Sequence, residues 1–257
     1  MMTIAIIGAG NMGGATALGL AAALPEARIT VTARHAATLE KYAARGLQTS
    51  LDNLAAAREA ELVILAVKPW LVAQVLEELK PVLPGKILVS FAAGIPAAQL
   101  QEWLEGSGVG GAFTVIPNLA VEVGESMTFI LDLLGSPQAL GSVRAIFDAV
   151  GRTAVVDEKR LNAGMMLASC GTAFALRYVR ASAEGGVELG LYPGEALSAA
   201  LQTVKGAAAL LEARGTHPEE EIDRVTTPGG ITIKGLNAME EAGFTPAVIA
   251  GLKAWKA

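Results

Sequence analysis

Short apolar runs alternate with helix-like segments over the first 157 residues, and this alternation restricts the folds open to the chain. The runs are nearly continuous in apolar residues, as is typical of strands buried on both faces of a parallel sheet. Helix-like segments follow most of them. The pattern therefore predicts an α/β fold with a doubly wound sheet of the Rossmann type. The runs cover residues 3–7, 28–32, 61–67, 86–91, 111–116, 127–131 and 153–157.

The pattern changes after Asp157, where no strand-like run is evident and Ala, Leu, Gly and Met recur at helical spacing. We predict a dinucleotide-binding domain at residues 1–157 and an all-helical domain at residues 158–257. The helices are apolar on more than one face, which favours burial against a second subunit and predicts a homodimer. Breaks between them are expected at residues 190–195, 214–218 and 226–230.

Composition excludes several classes of partner. The formal net charge is −5 and no cluster of lysine or arginine offsets it, which argues against nucleic acid and anionic membranes. The single cysteine, Cys170, cannot form an internal disulfide and fits a reducing cytoplasm. The longest uncharged stretch, residues 163–176, is shorter than the roughly 20 residues that span a bilayer. We expect it to form a tightly packed, buried helix.

A G-x-G-x-x-G sequence follows the first apolar run directly and opens a helix-like segment, which is the context of a dinucleotide-binding loop. Gly8 allows a tight turn, Gly10 lets a pyrophosphate approach the backbone, and Gly13 allows close packing of the helix. The alternative is a glycine turn with a purely packing role. The predicted phosphate-binding residues are Gly8, Ala9, Gly10, Asn11, Met12 and Gly13.

The end of the second run distinguishes NADP from NAD. An NAD site usually carries an acidic residue here, but no carboxylate is present. Thr32 and Arg34 could instead donate hydrogen bonds to a 2′-phosphate, although a solvated arginine is the alternative. Asp52 and Asn53 follow at the start of a helix-like segment, where they could cap the helix or reach the adenine.

Two further strand ends lie where open α/β sheets bind ligands. The segment after the third main run could line a nicotinamide pocket, although Lys68 could equally be an ordinary lysine at a strand end. The residues predicted to contact the cofactor at these two ends are Ala66, Val67, Lys68, Pro69, Ala92, Ala93 and Gly94.

An interruption in the helical half carries two threonines, a proline and two glycines, at residues 226–230. Backbone amides at the start of the next helix form an anion site without a buried lysine, and glycines leave room for a ligand. The alternative is a plain joint between two helices, capped by Thr226 or Thr227.

Together these motifs resemble the pyrroline-5-carboxylate reductase family. The resemblance rests on residues 6–14, 66–69, 91–95 and 116–118 and, most specifically, on the segment HPEEEIDRVTTPGGITIKGLNAMEEAGF at 217–244. It implies NADPH as the cofactor, with NADH possible, and a cyclic imine carboxylate as the substrate. It also implies a homodimer, or a decamer built from dimers.

The same resemblance implies the roles of individual residues. Thr232 would be the catalytic residue, with its hydroxyl near the ring nitrogen of the substrate. The other residues that would contact the substrate are Thr227, Gly229, Gly230, Ile231 and Asn118.

The chain departs from the family's usual pattern in the regions around this site. Thr114 and Ile116 replace an arginine and a methionine, and Leu119 and Ala120 replace a Thr-Pro pair. A serine-glycine-rich run is represented by residues 168–174, and Ile231 replaces a smaller residue. The substrate pocket is therefore expected to be a variant.

Two other functions stay open. A reductase of the same architecture could act on another imine or on a keto or hydroxy acid, for which Lys205 is available as a general base. A non-catalytic NADP-binding regulator is the other. No Cys/His cluster has metal-ligand spacing, so no metal is expected.

Overall fold

The computed structural model describes residues 2–254 and divides the chain into two compact units, Met1–Ser169 and Cys170–Ala257. The predicted domain boundary, between residues 157 and 158, lies before a helix that belongs to the first unit. The division of function between the two predicted domains stays a prediction.

The first unit contains an eight-stranded sheet with the order β3-β2-β1-β4-β5-β6-β7-β8. Neighbouring strands are parallel except β6 and β7, so β7 and β8 run against the others. The predicted mostly parallel sheet is confirmed. The strands are β1 (Thr3–Ile7), β2 (Arg28–Thr32), β3 (Gln48–Ser50), β4 (Leu62–Leu65), β5 (Ile87–Ser90), β6 (Gly111–Ile116), β7 (Ser126–Asp132) and β8 (Gly151–Val155).

Helices cover both faces of this sheet. On β1, Ile4 and Ile6 belong to one hydrophobic cluster, while Ala5 and Ile7 belong to the cluster on the opposite face. Burial on both faces explains why the strand was continuous in apolar residues. The helices of the first unit are α1 (Asn11–Ala23), α2 (Ala36–Ala43), α3 (Asn53–Glu59), α4 (Val72–Leu79), α5 (Ala97–Trp103), α6 (Pro137–Asp148) and α7 (Glu158–Gly164).

A π-helical segment, Met165–Cys170, follows α7 directly. It corrects the expectation of a regular, buried helix over residues 163–176. Within it the Leu167 side chain is exposed, whereas Met166 and Ala168 are buried. Wide turns of this kind occur mostly as short insertions in α-helices and are frequent at functional sites.

The second unit is helical throughout its described residues, as predicted. Gly215 adopts a left-handed conformation (φ 63°) and ends α9, and a proline then begins α10. All three predicted breaks are confirmed. The helices are α8 (Gly171–Glu188), α9 (Pro193–Arg214), α10 (Pro218–Val225), α11 (Ile231–Glu241) and α12 (Phe244–Lys253).

Within this unit α8 and α9 pack closely, because a Cβ atom added at Gly186 would lie 3.0 Å from the Cβ of Ala196. Tyr178 of α8 meets Phe244 of α12 edge-on, with ring centroids 6.3 Å apart. Large apolar side chains nevertheless stay exposed on this unit, among them those of Leu176, Leu197, Leu201, Val248 and Ile249. Over residues 2–254, no helix is both long and apolar enough to cross a membrane.

Candidate functional site

The glycine loop after β1 lies at the point where the strand order reverses, between β1 and β4. Gly8 has a φ of 112°, and a Cβ atom there would lie 2.8 Å from the Ala66 carbonyl oxygen. A Cβ atom at Gly13 would lie 2.0 Å from the Gly8 carbonyl oxygen, so α1 packs directly on the loop. The turn and packing roles predicted for these two glycines agree with this geometry.

Gly10 differs from the other two glycines because a Cβ atom there would meet nothing within 4 Å. It is the N-cap residue of α1, and no side chain caps the helix. Free amides at a helix N-terminus beside open space suit a pyrophosphate group. The side chains of Ala9 and Met12 are turned to the core, so these two residues can offer a ligand only their backbone, whereas Asn11 is exposed.

The end of β2 is tied to α3 by a side-chain hydrogen bond. Thr32, only 1% exposed, donates its hydroxyl to Asn53 Oδ1 over 2.7 Å and accepts from the Gly8 amide over 3.3 Å. The contact predicted between Thr32 and a 2′-phosphate stays a prediction. Arg34 is exposed and forms no ion pair within residues 2–254.

The sequence left two roles open for Asp52 and Asn53, which were capping the helix and reaching the adenine. The Asp52 carboxylate accepts from the Ala55 amide over 2.9 Å and caps α3, which confirms the capping hypothesis for this residue. Asn53 is the first residue of α3, and its side-chain oxygen is held by Thr32. Its amide N–H groups are therefore directed away from that bond.

The loops after β4 and β5 lie at the same edge of the sheet as the glycine loop, because these strands are parallel to β1. The Ala66 side chain lies 2.8 Å from the position of an added Cβ at Gly13, so this loop packs on the phosphate loop. Lys68 is exposed and precedes a 3₁₀ turn, Pro69–Leu71. In the β5 loop, Ala92 is buried, Ala93 is half-buried and Gly94 turns with a φ of 81°.

Asn118, at the end of β6, is 8% exposed and uses both ends of its side-chain amide inside the protein. Its Oδ1 accepts from the Ala120 amide over 3.0 Å, and its Nδ2 donates to the Ala168 carbonyl over 3.3 Å. Its backbone amide donates to the hydroxyl of Ser126. Asn118 therefore joins the β6 loop to the π-helical segment, and its predicted contact with the substrate stays a prediction.

The turn between α10 and α11 contains no threonine cap. The Thr226 hydroxyl donates back to the Ile222 carbonyl over 2.7 Å, and the N-cap residue of α11 is Gly230, so no side chain caps this helix. Gly229 has a φ of 72° and open space beside it. The alternative of a capped joint is therefore wrong, and the first amides of α11 are free to bind an anion.

Thr227 and Gly230 form the inner side of this turn. The Gly230 amide donates to the Thr227 carbonyl over 3.0 Å, and a Cβ atom at Gly230 would lie 2.4 Å from the Thr227 hydroxyl oxygen. Ile231 is 87% exposed, and Thr232 is half-buried in the first turn of α11. The start of the 11-residue helix α11 thus combines its first backbone amides with the hydroxyl of Thr232.

Comparison with known proteins decides the family. A family model described as pyrroline-5-carboxylate reductase dimerisation matches residues 158–257, and one described as NADP oxidoreductase, coenzyme F420-dependent, matches residues 3–94. Pyrroline-5-carboxylate reductase 2 of Dictyostelium discoideum is 36% identical over 97% of this chain and 89% of its own length. The chain belongs to the pyrroline-5-carboxylate reductase family.

Two further members of the pyrroline-5-carboxylate reductase family support the same assignment. The reductase of Methanosarcina acetivorans is 37% identical over 95% of this chain and 92% of its own length. The crystal structure of Plasmodium falciparum pyrroline carboxylate reductase with NADP bound superimposes with a TM-score of 0.88 at 25% identity, covering 98% of this chain and 95% of that one. The family resemblance inferred from the sequence is confirmed.

The positions at which this chain departs from the usual pyrroline-5-carboxylate reductase pattern are structurally distinct. Thr114 and Ile116 are buried in β6, whereas Leu119 is exposed just after it. The hydrogen bond from Asn118 to the backbone carbonyl of Ala168 joins the β6 loop to the start of the 168–174 segment, and both segments carry departures.

Two carboxyl groups have lowered pKa values. A hydrogen bond from the Arg160 amide lowers the pKa of Asp157, which caps α7. A hydrogen bond from Thr216, aided by two arginines, lowers the pKa of Glu221 on α10. Sequence reasoning did not single out Glu221; the signal was the pair of arginines flanking its acidic run.

Lys205 lies exposed on α9, and among the described residues 2–254 no carboxylate or hydroxyl forms a hydrogen bond or ion pair with its amine. Among residues 2–254 no group of three or more His, Cys, Asp and Glu side chains could hold a metal ion.

Proposed function

We propose that this protein reduces 1-pyrroline-5-carboxylate to L-proline with NADPH, the last step of proline biosynthesis. It would thus act as an NAD(P)H-dependent oxidoreductase on a C=N bond, as the names of its relatives suggest. The observation that carries the proposal is the turn at Gly229 and Gly230, which leaves the N-terminus of α11 without a cap. A helix start of this kind is suited to the substrate's carboxylate.

The cofactor would bind along the carboxyl edge of the first unit. The pyrophosphate would lie on the α1 amides beside Gly10, where the backbone is open. Arg34 would hold the 2′-phosphate with Thr32 beside it, and the Asn53 amide would face the adenosine. The name of the Plasmodium falciparum structure, with NADP bound, favours NADPH, and NADH would be the weaker cofactor. The loops at 66–69 and 92–94 would border the nicotinamide.

The bound cofactor would supply the hydride that reduces the imine carbon. The chain's own contribution would be to bind and orient the substrate. We propose that the amides of Gly229 and Ile231 bind the carboxylate beside Gly230, whose own amide closes the turn on Thr227, and that the Thr232 hydroxyl hydrogen-bonds the ring nitrogen. Thr227 would support the turn, and Asn118 would act from the β6 loop.

No residue from 226 to 232 has a side chain that titrates near neutral pH. The proton on the ring nitrogen would therefore arrive with the substrate as an iminium, or from water, and would not come from an acidic side chain of this turn. The Thr232 hydroxyl would hold that nitrogen in place. Catalysis of this kind depends on positioning rather than on a tuned acid or base.

The helical domain, taken as residues 158–257, would carry both dimerisation and substrate binding. The match to the dimerisation family model over this range supports a homodimer. We propose a decamer built from such dimers as the larger assembly. The single cysteine supports a cytoplasmic location.

Cofactor oxidation measured with several substrates tests the proposal. Wild-type protein should oxidise NADPH with 1-pyrroline-5-carboxylate, and much more slowly with piperideine carboxylates and small keto or hydroxy acids. Faster turnover of a piperideine or a keto acid would favour the neighbouring reductase function, with Lys205 as its candidate base. Binding of NADPH without turnover of any of these compounds would favour a regulator.

A further inference from the structure

Helix α10 leads directly into the turn of the proposed substrate site, and its one apolar anchor is the half-buried Ile222. Glu221 is the helix's one buried residue, at 7% exposure. Val225, the last residue of the helix, is largely exposed, and Glu219 and Glu220 face solvent. Besides Ile222, the position of α10 therefore depends on what holds the Glu221 carboxylate.

Three side chains hold that carboxylate. Arg214 at the end of α9 donates to Oε2 over 2.6 Å, and Thr216 in the following loop donates to Oε1 over 2.6 Å. Arg224, one turn further along α10, donates to Oε1 over 2.5 Å. Charge-assisted bonds of this length are stronger than neutral ones, and together they fix the corner between α9 and α10.

The fixed corner extends to the turn through consecutive hydrogen bonds. The backbone amide and the hydroxyl of Thr226 both donate hydrogen bonds to the Ile222 carbonyl. The first residue of the turn is therefore tied to α10. The Gly230 amide then closes the turn on Thr227. Among the side chains of α10, only the half-buried Ile222 shares the anchoring of the helix with Glu221, so we expect a change at Glu221 to reach the turn.

We propose that Glu221 is the positioning residue of this turn: its buried carboxylate, held by Arg214, Thr216 and Arg224, sets where the first amides of α11 and the Thr232 hydroxyl lie. The expected change in KM rests on the proposed function, whereas the expected change in the position of the turn rests on the hydrogen-bond network alone. Glu221 does not touch the substrate.

The test compares Glu221→Gln with Glu220→Gln, which removes a solvent-facing carboxylate from the same helix. Hydrogen–deuterium exchange of the whole chain measures directly how well the backbone amides of the turn are protected. Exchange at Thr226 and Gly230 should rise in Glu221→Gln and stay at the wild-type level in Glu220→Gln. Unchanged exchange in Glu221→Gln would overturn the proposal, whether or not the protein proves to be a reductase.

Kinetics then test the link to the site. The KM for 1-pyrroline-5-carboxylate should rise about tenfold in Glu221→Gln, as expected for a displaced binding group, while the KM for NADPH holds. Combined with Thr232→Val, the loss should be less than the product of the two single losses, because both changes remove the same contact. Multiplicative losses, or equal rises in both KM values, would contradict the positioning role. Absence of wild-type turnover would remove the proposed function and leave the exchange result to decide.

Discussion

Thr32 donates its hydroxyl hydrogen bond to the side-chain oxygen of Asn53, and the two atoms lie 2.7 Å apart. The bond joins the end of β2 to the start of α3. The Gly8 amide donates a hydrogen bond to the same hydroxyl of Thr32. Thr32 is buried, whereas Arg34 is exposed and carries the charge at this strand end that can recognise a 2′-phosphate. The choice between the two cofactors should therefore depend on Arg34.

Replacing Arg34 with Asp should weaken NADPH binding by about ten- to a hundredfold, the equivalent of one hydrogen bond between charged groups. NADH binding should change far less, because the new carboxylate can accept from the ribose hydroxyls. Titration of both cofactors checks this, with Arg144→Asp on the exposed side of α6 as the control. Equal losses for NADPH and NADH would show that Arg34 does not read the 2′-position.

Gly10 and Gly13 should respond differently to the same added methyl group. Gly13→Ala places a Cβ atom 2.0 Å from a backbone oxygen and should cost about 1–3 kcal/mol of folding stability. Gly10→Ala meets no protein atom and should keep the wild-type melting temperature while losing about tenfold or more in NADPH affinity. A Gly10→Ala variant with unchanged affinity would place the pyrophosphate elsewhere.

The strands were largely predictable because burial dictates their composition. The runs at 3–7, 28–32 and 111–116 coincide with β1, β2 and β6. The short edge strand β3, Gln48–Ser50, was not predicted, since its three polar residues give no apolar signal. The π-helical segment was also missed, because residues 165–170 have an ordinary helical composition and the wide turn depends on packing.

Site residues were predictable where backbone groups bind the ligand. They were less predictable where a buried hydrogen-bond partner, distant in sequence, determines the role of a side chain. The glycines at 8, 10 and 13 follow from conformation alone. The hydrogen bond of Thr32 could not be predicted, because its partner, Asn53, lies 21 residues away. Glu221 was not assigned at all, since a run of three glutamates at a helix start is normally solvated.

The helical unit should associate through its exposed apolar surface. A groove of about 570 Å³ beside α8 and α9 is lined by residues that include Leu176, Leu197 and Leu201. Burying this surface favours a dimer with most of its contact in residues 160–257. Sedimentation should show at least a dimer, and Leu201→Glu should shift it toward the monomer. Leu134→Glu, at a similarly exposed leucine of the first unit, should not. A fully active monomer would refute the proposal.

Acid should remove the stability that Glu221 provides. Its pKa is lowered on folding from an ordinary value of 4.5, so the unfolded chain binds the proton more readily. The contribution is therefore present in full above that value and is lost as the pH falls through the folded pKa. The melting temperature of the wild type should exceed that of Glu221→Gln by a constant amount from pH 7 to about pH 5.5, and the gap should narrow below 4.5. A gap that widens on acidification would contradict the assignment.

The most direct test of the central claim is the kcat/KM of Thr232→Val for 1-pyrroline-5-carboxylate, measured beside the wild type. The substitution keeps the side-chain shape and removes only the hydroxyl. Loss of one hydrogen bond to a charged ligand should lower kcat/KM by about one to two powers of ten. Cofactor affinity and melting temperature should hold at wild-type values. Unchanged kcat/KM with a lowered melting temperature would instead show that the turn from Thr226 to Gly230 only joins two helices.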